Sequence, residues 1–248
     1  MSGHSKWAQI KRKKAVTDAK RGAIFSKIAK EIIVAARLGG ADPSGNFRLR
    51  FAIEKAKTNL VPQNNIQRAI EKGAGIGQDD YKIEEIIYEG YGPGGAAILI
   101  LCTTDNRNRT IADLRSYFVK YHGKMAETGA VSWMFTKRGE IKISSSSFKK
   151  QDELYELAIE AGAEDIDLSD EECAVIITKP EELEKVQKNI ISQKIIPIET
   201  QISYSPKEHI DITDIDIAKN LINLLESIEE HDDVQNVFSN FDIKVDLS

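Results

Sequence analysis

The chain has 248 residues, of which 41% are hydrophobic and 29% are charged, and its formal net charge is −5. This length holds one large domain or two to three small ones. No segment approaches the roughly 18 apolar residues of a membrane span, and no apolar core of a secretory signal follows the basic N-terminus. We therefore expect a cytoplasmic protein with no membrane partner; a transit peptide is the alternative for residues 1–38.

Charge is segregated along the chain. Residues 1–75 carry sixteen Lys or Arg against five Asp or Glu, a net charge of +11. Residues 76–248 carry eighteen against thirty-four, a net charge of −16. The basic side chains are densest in the first twenty-one residues, at Lys6, Lys11, Arg12, Lys13, Lys14, Lys20 and Arg21. Such asymmetry indicates a basic arm or domain that binds a polyanion.

The N-terminal part has the periodicity of a small basic helical domain. Residues 5–20 are expected to form a helix with only a weak apolar stripe, which is marginal alone or docked on something. Trp7 lies among its lysines and is expected either to stack on a base or to anchor this helix. Apolar residues at helical spacing predict a second helix over 21–38, which Gly39-Gly40 end.

Two further helices complete this domain. Asp42-Pro43-Ser44 are expected to open the third helix, whose inward residues are Phe47, Phe51, Ala52 and Ala56. Pro62 is expected to start the fourth helix, which ends at Gly73. The sequence does not show a clear helix-turn-helix with an exposed Asn, Gln or Arg face.

After a glycine-rich break the pattern becomes β-like. Residues 83–89 and 96–102 are predicted strands joined through GYGPGG, which indicates a hairpin. A phosphate-binding loop would need a helix after these glycines, but a strand follows. A helix is predicted over 109–121 and a further strand over 130–136.

The C-terminal half predicts a second α/β unit. Strands near 140–144, 164–168, 173–178 and 197–203 alternate with helices over 151–161 and 180–193, which is the βαββαβ order of ferredoxin-like folds. A final helix over 214–230 and a strand over 234–238 cannot form a stable domain alone. We therefore predict an α+β protein of three domains, with two ferredoxin-like domains, one inserted in the other: 1–77, 78–138 with 206–248, and 139–205.

A second candidate phosphate contact lies in DNRNRT, at residues 105–110, between a strand and a helix. Asp105, Asn106 and Asn108 are turn and cap residues. Arg107 and Arg109 then stand at a helix N-terminus, where a cation gains nothing from the helix dipole. The arrangement favours an anion shared by the two arginines and the free backbone N–H groups.

Evidence for catalysis or metal binding is weak. The acidic cluster between Glu164 and Glu172 lacks the spacing of a calcium loop, and the four histidines lack metal-ligand spacing. Cys102 and Cys173 lie far apart in apolar runs, as expected for buried, reduced thiols. We expect no enzyme activity, no cofactor and no metal site; an enzyme or a pure protein-interaction module are the alternatives.

Several long motifs resemble one known family. GHSKWAQIKRKKAVTDAKRGAIFSKIAKEI, DPSGNFRLRFAIEKAK, NIQRAIEKGAG, YEGYGPGG, TDNRNRT and ETGAVSWMF resemble, in this order, the YebC family of probable transcriptional regulators, whose mitochondrial relative is a translational activator of cytochrome oxidase. The resemblance covers essentially the whole chain. Ala23 stands where the family often has Lys, and Leu60-Val61 stand where Asn-Met is common.

The resemblance implies a non-enzymatic regulator of gene expression built of three domains. It implies a nucleic-acid partner, with two alternatives. The partner is DNA at promoters, or it is ribosomal RNA, in which case the protein is a ribosome-associated translation factor that relieves stalling, for example at proline stretches. The oligomeric state stays open. The basic residues in matching motifs, carried over as nucleic-acid contacts, are Lys6, Lys11, Lys14, Arg21, Lys27, Arg48, Arg50, Arg107 and Arg109.

Overall fold

The computed structural model describes residues 18–76, 82–147, 151–170 and 172–246, with only the backbone at 18–21 and 151. These residues belong to two compact units. One unit is residues 135–207, and the other joins residues 18–134 to residues 208–246. The predicted α+β fold class is confirmed, with helices beside antiparallel sheets. The division into three domains stays a prediction.

The described elements alternate between helices and strands. The helices are α1 (Asp18–Gly39), α2 (Phe47–Thr58), α3 (Gln63–Gly73), α4 (Arg107–Lys120), α5 (Gln151–Ala161), α6 (Leu183–Ser192) and α7 (Ile215–Glu230). The strands are β1 (Glu84–Tyr91), β2 (Ala97–Thr104), β3 (Lys124–Ala126), β4 (Phe135–Ser144), β5 (Asp165–Asp167), β6 (Cys173–Thr178), β7 (Glu199–Pro206), β8 (Ile210–Ile212), β9 (Val234–Ser239) and β10 (Phe241–Ile243).

Helices α1, α2 and α3 share one apolar core, and α1 packs against both of the others. Its residues recur at the helical period, as in Ile28 and Ile32 of α1, Leu49 and Ala52 of α2, and Ile66 of α3, which are all fully buried. Phe47 was predicted to point inward but lies exposed, and Leu49 takes the buried position instead.

The start of α2 differs from its prediction. Asp42 does not open the helix but forms a turn, in which its carboxylate accepts hydrogen bonds from the backbone N–H and the hydroxyl of Ser44. The N-cap is Asn46, whose side chain accepts from the Leu49 N–H at 3.1 Å. The amide of Asn46 also donates to the Ala35 and Gly40 carbonyl oxygens. Asn46, rather than Asp42, is therefore the N-cap of α2, and the same side chain also binds the end of α1.

The turn from α2 to α3 is a Schellman motif without glycine. The Leu60 N–H donates to the Lys57 carbonyl, and the Val61 N–H donates to the Ala56 carbonyl. Leu60 takes the left-handed conformation, with φ of 59°, which costs a leucine about 1–2 kcal/mol. Val61 is buried in the helical core, whereas the Leu60 side chain is 84% exposed.

The sheet beside the helical part has the strand order β3-β1-β2-β9, and every neighbouring pair is antiparallel. The predicted hairpin is confirmed, since β1 pairs with β2 over their full lengths. Its loop needs glycine at position 94, where φ is 72° and a Cβ would lie 2.7 Å from Ile212 Cδ1. Strands β8 and β10 form a separate parallel pair.

The unit of residues 135–207 has the predicted βαββαβ order, and its sheet order is β5-β6-β4-β7 with antiparallel neighbours. This is the ferredoxin-like arrangement. The core is built from alternate residues of the strands and one stripe of each helix, such as Ile141 and Ile143 of β4 and Ile190 of α6.

The strand predicted over 130–136 is wrong, because a buried carboxylate captures the backbone that would have paired. Glu89 accepts hydrogen bonds from the N–H groups of Gly129, Val131 and Ser132, at 2.7, 2.6 and 3.0 Å. Burial by itself raises the pKa of Glu89, but these three bonds outweigh it and lower the pKa. A short 3-10 turn, Ser132–Met134, follows, and β4 begins only at Phe135.

Three short strands, β3, β8 and β10, were not predicted. Each has three residues, which is too few for an alternating pattern. Cys102 and Cys173 are both buried, as predicted. Among the described helices, none combines the length and the apolar character that crossing a bilayer would need.

We expect Gly73→Ala to lower the midpoint of thermal unfolding. A Cβ at Gly73 would lie 2.4 Å from the Ile33 carbonyl oxygen and 2.7 Å from Ala36 Cβ, so α3 must shift away from α1. Overpacking of this kind costs about 1–3 kcal/mol. Gly22→Ala is the matched helical control, since nothing lies within 4 Å of a Cβ there, and it should stabilise by about 0.5–1 kcal/mol. Equal midpoints for the two variants would contradict close α1–α3 packing.

Candidate nucleic-acid interface

The predicted basic arm is only partly covered by the structure. Lys6, Trp7, Lys11, Arg12, Lys13 and Lys14 lie outside the described residues. Lys20 and Arg21 belong to the first turn of α1, where only the backbone is described. The candidate interface is therefore built from the described residues of α1 to α4 and the segments that they contact.

Lys27 and Lys30 of α1 reach the end of α7. The Lys27 ammonium donates to the carbonyl of Glu229, and the Lys30 ammonium donates to the carbonyl of Asp232 at 3.0 Å. Helix α7 has no basic residue in its own last turn. Because the carbonyl end of a helix carries partial negative charge, the two lysines supply the compensating cations. Lys27, a predicted phosphate contact, is thus engaged within the chain.

Asp233 joins three elements of the same unit, α1, α4 and β2. Its carboxylate lies 2.5 Å from Lys30 Nζ of α1, 3.0 Å from Arg109 Nη2 and 2.7 Å from Thr110 Oγ1 of α4. The Thr104 hydroxyl at the end of β2 is 3.1 Å away. The Asp233 carbonyl accepts from the Thr103 N–H, so both its side chain and its backbone hold this junction.

The charge on Asp233 is stabilised by its partners. The side chain is only 2% exposed. Burial by itself raises the pKa of this carboxyl, but the hydrogen bonds from Lys30, Thr110 and Arg109 outweigh burial and hold the pKa well below its usual range. The Cys102 thiol shows the opposite effect, since burial and the nearby Asp233 charge raise its pKa to about 12.

The two arginines of DNRNRT have different surroundings. Asn106 caps α4 and accepts from the Arg109 N–H at 3.1 Å. The Arg109 guanidinium bends back onto two carboxylates, Asp105 at 2.9 Å and Asp233 at 3.0 Å. Arg107 is 63% exposed, and its ion pair with Glu84 is 3.7 Å long. Arg107 is therefore the better placed of the two to meet an external anion.

The remaining predicted contacts, Arg48 and Arg50 of α2, also have partners within the chain. Arg48 forms an ion pair with Glu85 on β1. Arg50 donates to the Pro43 carbonyl at 2.6 Å and so fastens the turn before α2. Since Glu84 and Glu85 are consecutive in a strand, their side chains point to opposite faces of the sheet. Arg48 and Arg107 pair with these two residues and are therefore not brought together.

One group of exposed polar residues was missed by the sequence analysis. The side chains of Asn64, Gln67 and Arg68 on α3 are exposed. The buried face of the same helix, Ile66, Ala69 and Gly73, lies against α1. The sequence did not show a clear helix-turn-helix with an exposed Asn, Gln or Arg face, so the exposure of these three side chains was not predicted. The helical spacing of the apolar residues within 63–73 could have predicted that these polar side chains lie on the exposed face.

The family comparison covers nearly all of the chain. A family model described as the TACO1/YebC protein N-terminal domain matches residues 5–76, and one described as the TACO1/YebC second and third domain matches residues 83–241. The boundary between the two matches coincides with the predicted break after the helical part.

Close relatives share one name. A protein of Desulfotalea psychrophila named "Probable transcriptional regulatory protein" is 54% identical over all of this chain and 98% of its own length. A similarly named protein of a Nostoc strain is 48% identical over the same shares of the two chains. A crystal structure of a conserved hypothetical protein from Aquifex aeolicus superposes with a TM-score of 0.90 at 47% identity, covering 98% of each chain.

We expect Asp233→Asn to destabilise the protein by about 3 kcal/mol at neutral pH, because it leaves the largely buried Lys30 without its counter-charge. A carboxyl whose pKa falls on folding stabilises above its unfolded pKa of about 3.9 and loses that contribution as pH falls further. The stability difference between wild type and variant should therefore shrink below about pH 4.

Urea unfolding across this pH range measures the effect. Asp105→Asn is the control, since Asp105 is more exposed and, within the described residues, its one ion-pair partner is Arg109. Its substitution should cost less than about 1 kcal/mol. A pH-independent gap for Asp233→Asn would contradict the charged network.

We expect Arg107→Ala and Arg109→Ala to act on different properties. Arg107→Ala should leave the unfolding free energy within about 0.5 kcal/mol and weaken nucleic-acid binding, because its guanidinium is exposed. Arg109→Ala should cost about 1 kcal/mol of stability, because it removes one partner of Asp233. Binding titrations and thermal unfolding of both variants separate the two roles. Unchanged affinity in the double variant would remove this helix from the interface.

Proposed function

The chain belongs to the TACO1/YebC family, and we propose that it is a non-enzymatic, nucleic-acid-binding regulator of gene expression. The observation that carries the proposal is the net charge of +11 on residues 1–75 in a chain whose total is −5. A basic region of this kind attracts a phosphate backbone over distances set by ionic strength. The alignments with relatives whose names contain the word "regulatory" cover the whole chain, including this region.

We propose two roles for the predicted contact residues. The arm residues Lys6 to Lys14, with Lys20 and Arg21, neutralise phosphates and release counterions. Arg107 adds an exposed cation from α4. Lys27, Arg48, Arg50 and Arg109 contribute to the field while they hold the fold through their bonds within the chain.

The target we favour is DNA at the promoters of regulated genes, following the names of the relatives. Ribosomal RNA is the second candidate, in a translation factor that acts on the ribosome. The observation that favours RNA is the dense charge of the first twenty-one residues, in a predicted helix with only a weak apolar stripe. Such a segment suits a partner on which it orders.

Crosslinking in cells, followed by sequencing of the attached nucleic acid, tests the target. Reads at discrete DNA sites support the transcriptional role. Reads concentrated in ribosomal RNA support the translational role and make any change in transcription indirect. Enrichment of neither pool overturns the proposed function.

We expect the fourfold variant with Lys11, Arg12, Lys13 and Lys14 changed to Glu to lose nucleic-acid binding. Each lost phosphate contact should lower the slope of log K against log salt by about 0.9 on duplex DNA. The matched control changes four exposed lysines of residues 135–207, Lys137, Lys179, Lys185 and Lys194, to Glu, and so alters the net charge equally. Equal loss in both variants, measured by salt titration, would attribute binding to net charge rather than to the arm.

A further inference from the structure

We propose that the exposed face of α3 reads base edges in the major groove of duplex DNA, an inference that rests on the proposed function. The reading face consists of Asn64, Gln67 and Arg68. These residues stand at positions i, i+3 and i+4, so they form one continuous patch on the helix surface. All three side chains are exposed.

The helix is held from behind. Ile66, Ala69 and Gly73 are buried on the side opposite the reading face. At Gly73 the backbones of α3 and α1 approach so closely that a Cβ would lie 2.4 Å from the Ile33 carbonyl oxygen. A helix fixed on one side and polar on the other can be presented to a ligand without losing its place in the core.

The connection to α2 has the length of the turn in a helix-turn-helix. Residues 59–62 separate the two helices, and the Schellman bonds at Leu60 and Val61 define the turn. In DNA-binding helix-turn-helix units, two helices are joined by a three- to four-residue turn and the second helix lies in the major groove. The N-terminal residues of such a second helix are those that meet base edges, and here the first turn carries three amides, Gln63, Asn64 and Asn65.

The side-chain chemistry matches base readout. Asn and Gln can make paired hydrogen bonds to adenine N6 and N7, and Arg can do so to guanine O6 and N7. Gln67 Nε2 already donates to Glu71 Oε1 at 2.9 Å, which fixes the orientation of the amide while its oxygen and second N–H stay available. Among the described residues, the Asn64 and Arg68 side chains have no hydrogen-bond or ion-pair partner.

Electrostatics and groove geometry favour DNA over RNA for this face. Residues 1–75, which include these helices, carry a net charge of +11, and the exposed Lys57 stands at the end of α2 beside the turn. The major groove of B-form DNA admits an α-helix, whereas that of A-form RNA is too narrow for side chains to read. Recognition of bases by α3 therefore commits the partner to duplex DNA.

Selection from a library of randomised DNA duplexes tests the proposal on the full-length protein. We expect wild type to enrich a sequence motif and to bind the selected duplex more tightly than a scrambled duplex of equal length. The variant with Asn64, Gln67 and Arg68 all changed to Ala should lose about 10- to 100-fold of that preference. It should still bind the scrambled duplex, with a salt slope lowered by no more than about one phosphate contact.

A second variant separates reading from charge. Arg68→Lys keeps the positive charge but replaces the rigid planar guanidinium fork with a single ammonium on a flexible stem, which contacts guanine less specifically. It should bind the scrambled duplex as wild type does and show a weaker preference at one guanine position of the motif. Since all altered side chains are exposed, thermal unfolding of both variants should match wild type, which shows that the fold is intact.

The outcomes distinguish this inference from the proposed function. Loss of sequence preference with retained binding to the scrambled duplex supports the reading face. Full preference in the triple variant, or no motif for wild type despite duplex binding, overturns the reading face and leaves nucleic-acid binding standing. Binding to structured RNA but not to duplex DNA overturns it in favour of the RNA target. No binding to either nucleic acid overturns both proposals.

Discussion

The unit that carries the basic helices depends on one buried carboxylate. Asp233 is far in sequence from Lys30 and Arg109, yet it contacts both, together with the threonines at the end of β2 and the start of α4. A buried charge is tolerated only when partners replace the lost water, and four side-chain donors do so here. Through this junction α1 is fastened to the end of β2 and the start of α4 within one compact unit.

This junction changes the meaning of the charge pattern. Much of the positive charge in the helical part is paired with carbonyls or carboxylates, as at Lys27, Arg48 and Lys55. Pairing does not cancel the excess, since residues 1–75 carry sixteen cations against five anions. The ion pairs hold these cations in place and so fix the position of the positive electrostatic potential. The exposed cations determine where a polyanion contacts the protein. The same sequence feature thus serves both stability and attraction.

The elements whose apolar pattern continues over many residues were predictable. The features that depend on side chains distant in sequence were not. The hairpin at Gly92–Ala96 and the ferredoxin-like order of residues 135–207 followed from alternation and glycine placement. The segment AVSWMFT alternates like a strand, but Glu89 in a distant strand takes its N–H groups. Likewise, no local pattern could show that Arg109 meets Asp233 while Arg107 stays exposed, because that choice depends on tertiary contacts.

The order of synthesis and the order of packing differ in this chain. Residues 135–207 hold all four strands of their sheet without interruption and can fold as soon as they leave the ribosome. The other sheet lacks its edge strand β9, and Lys30 lacks Asp233, until nearly the whole chain has been made. The helical part is therefore synthesised first but is fastened last. A product truncated before residue 233 would carry the full positive charge of its N-terminal part without the contact between Lys30 and Asp233.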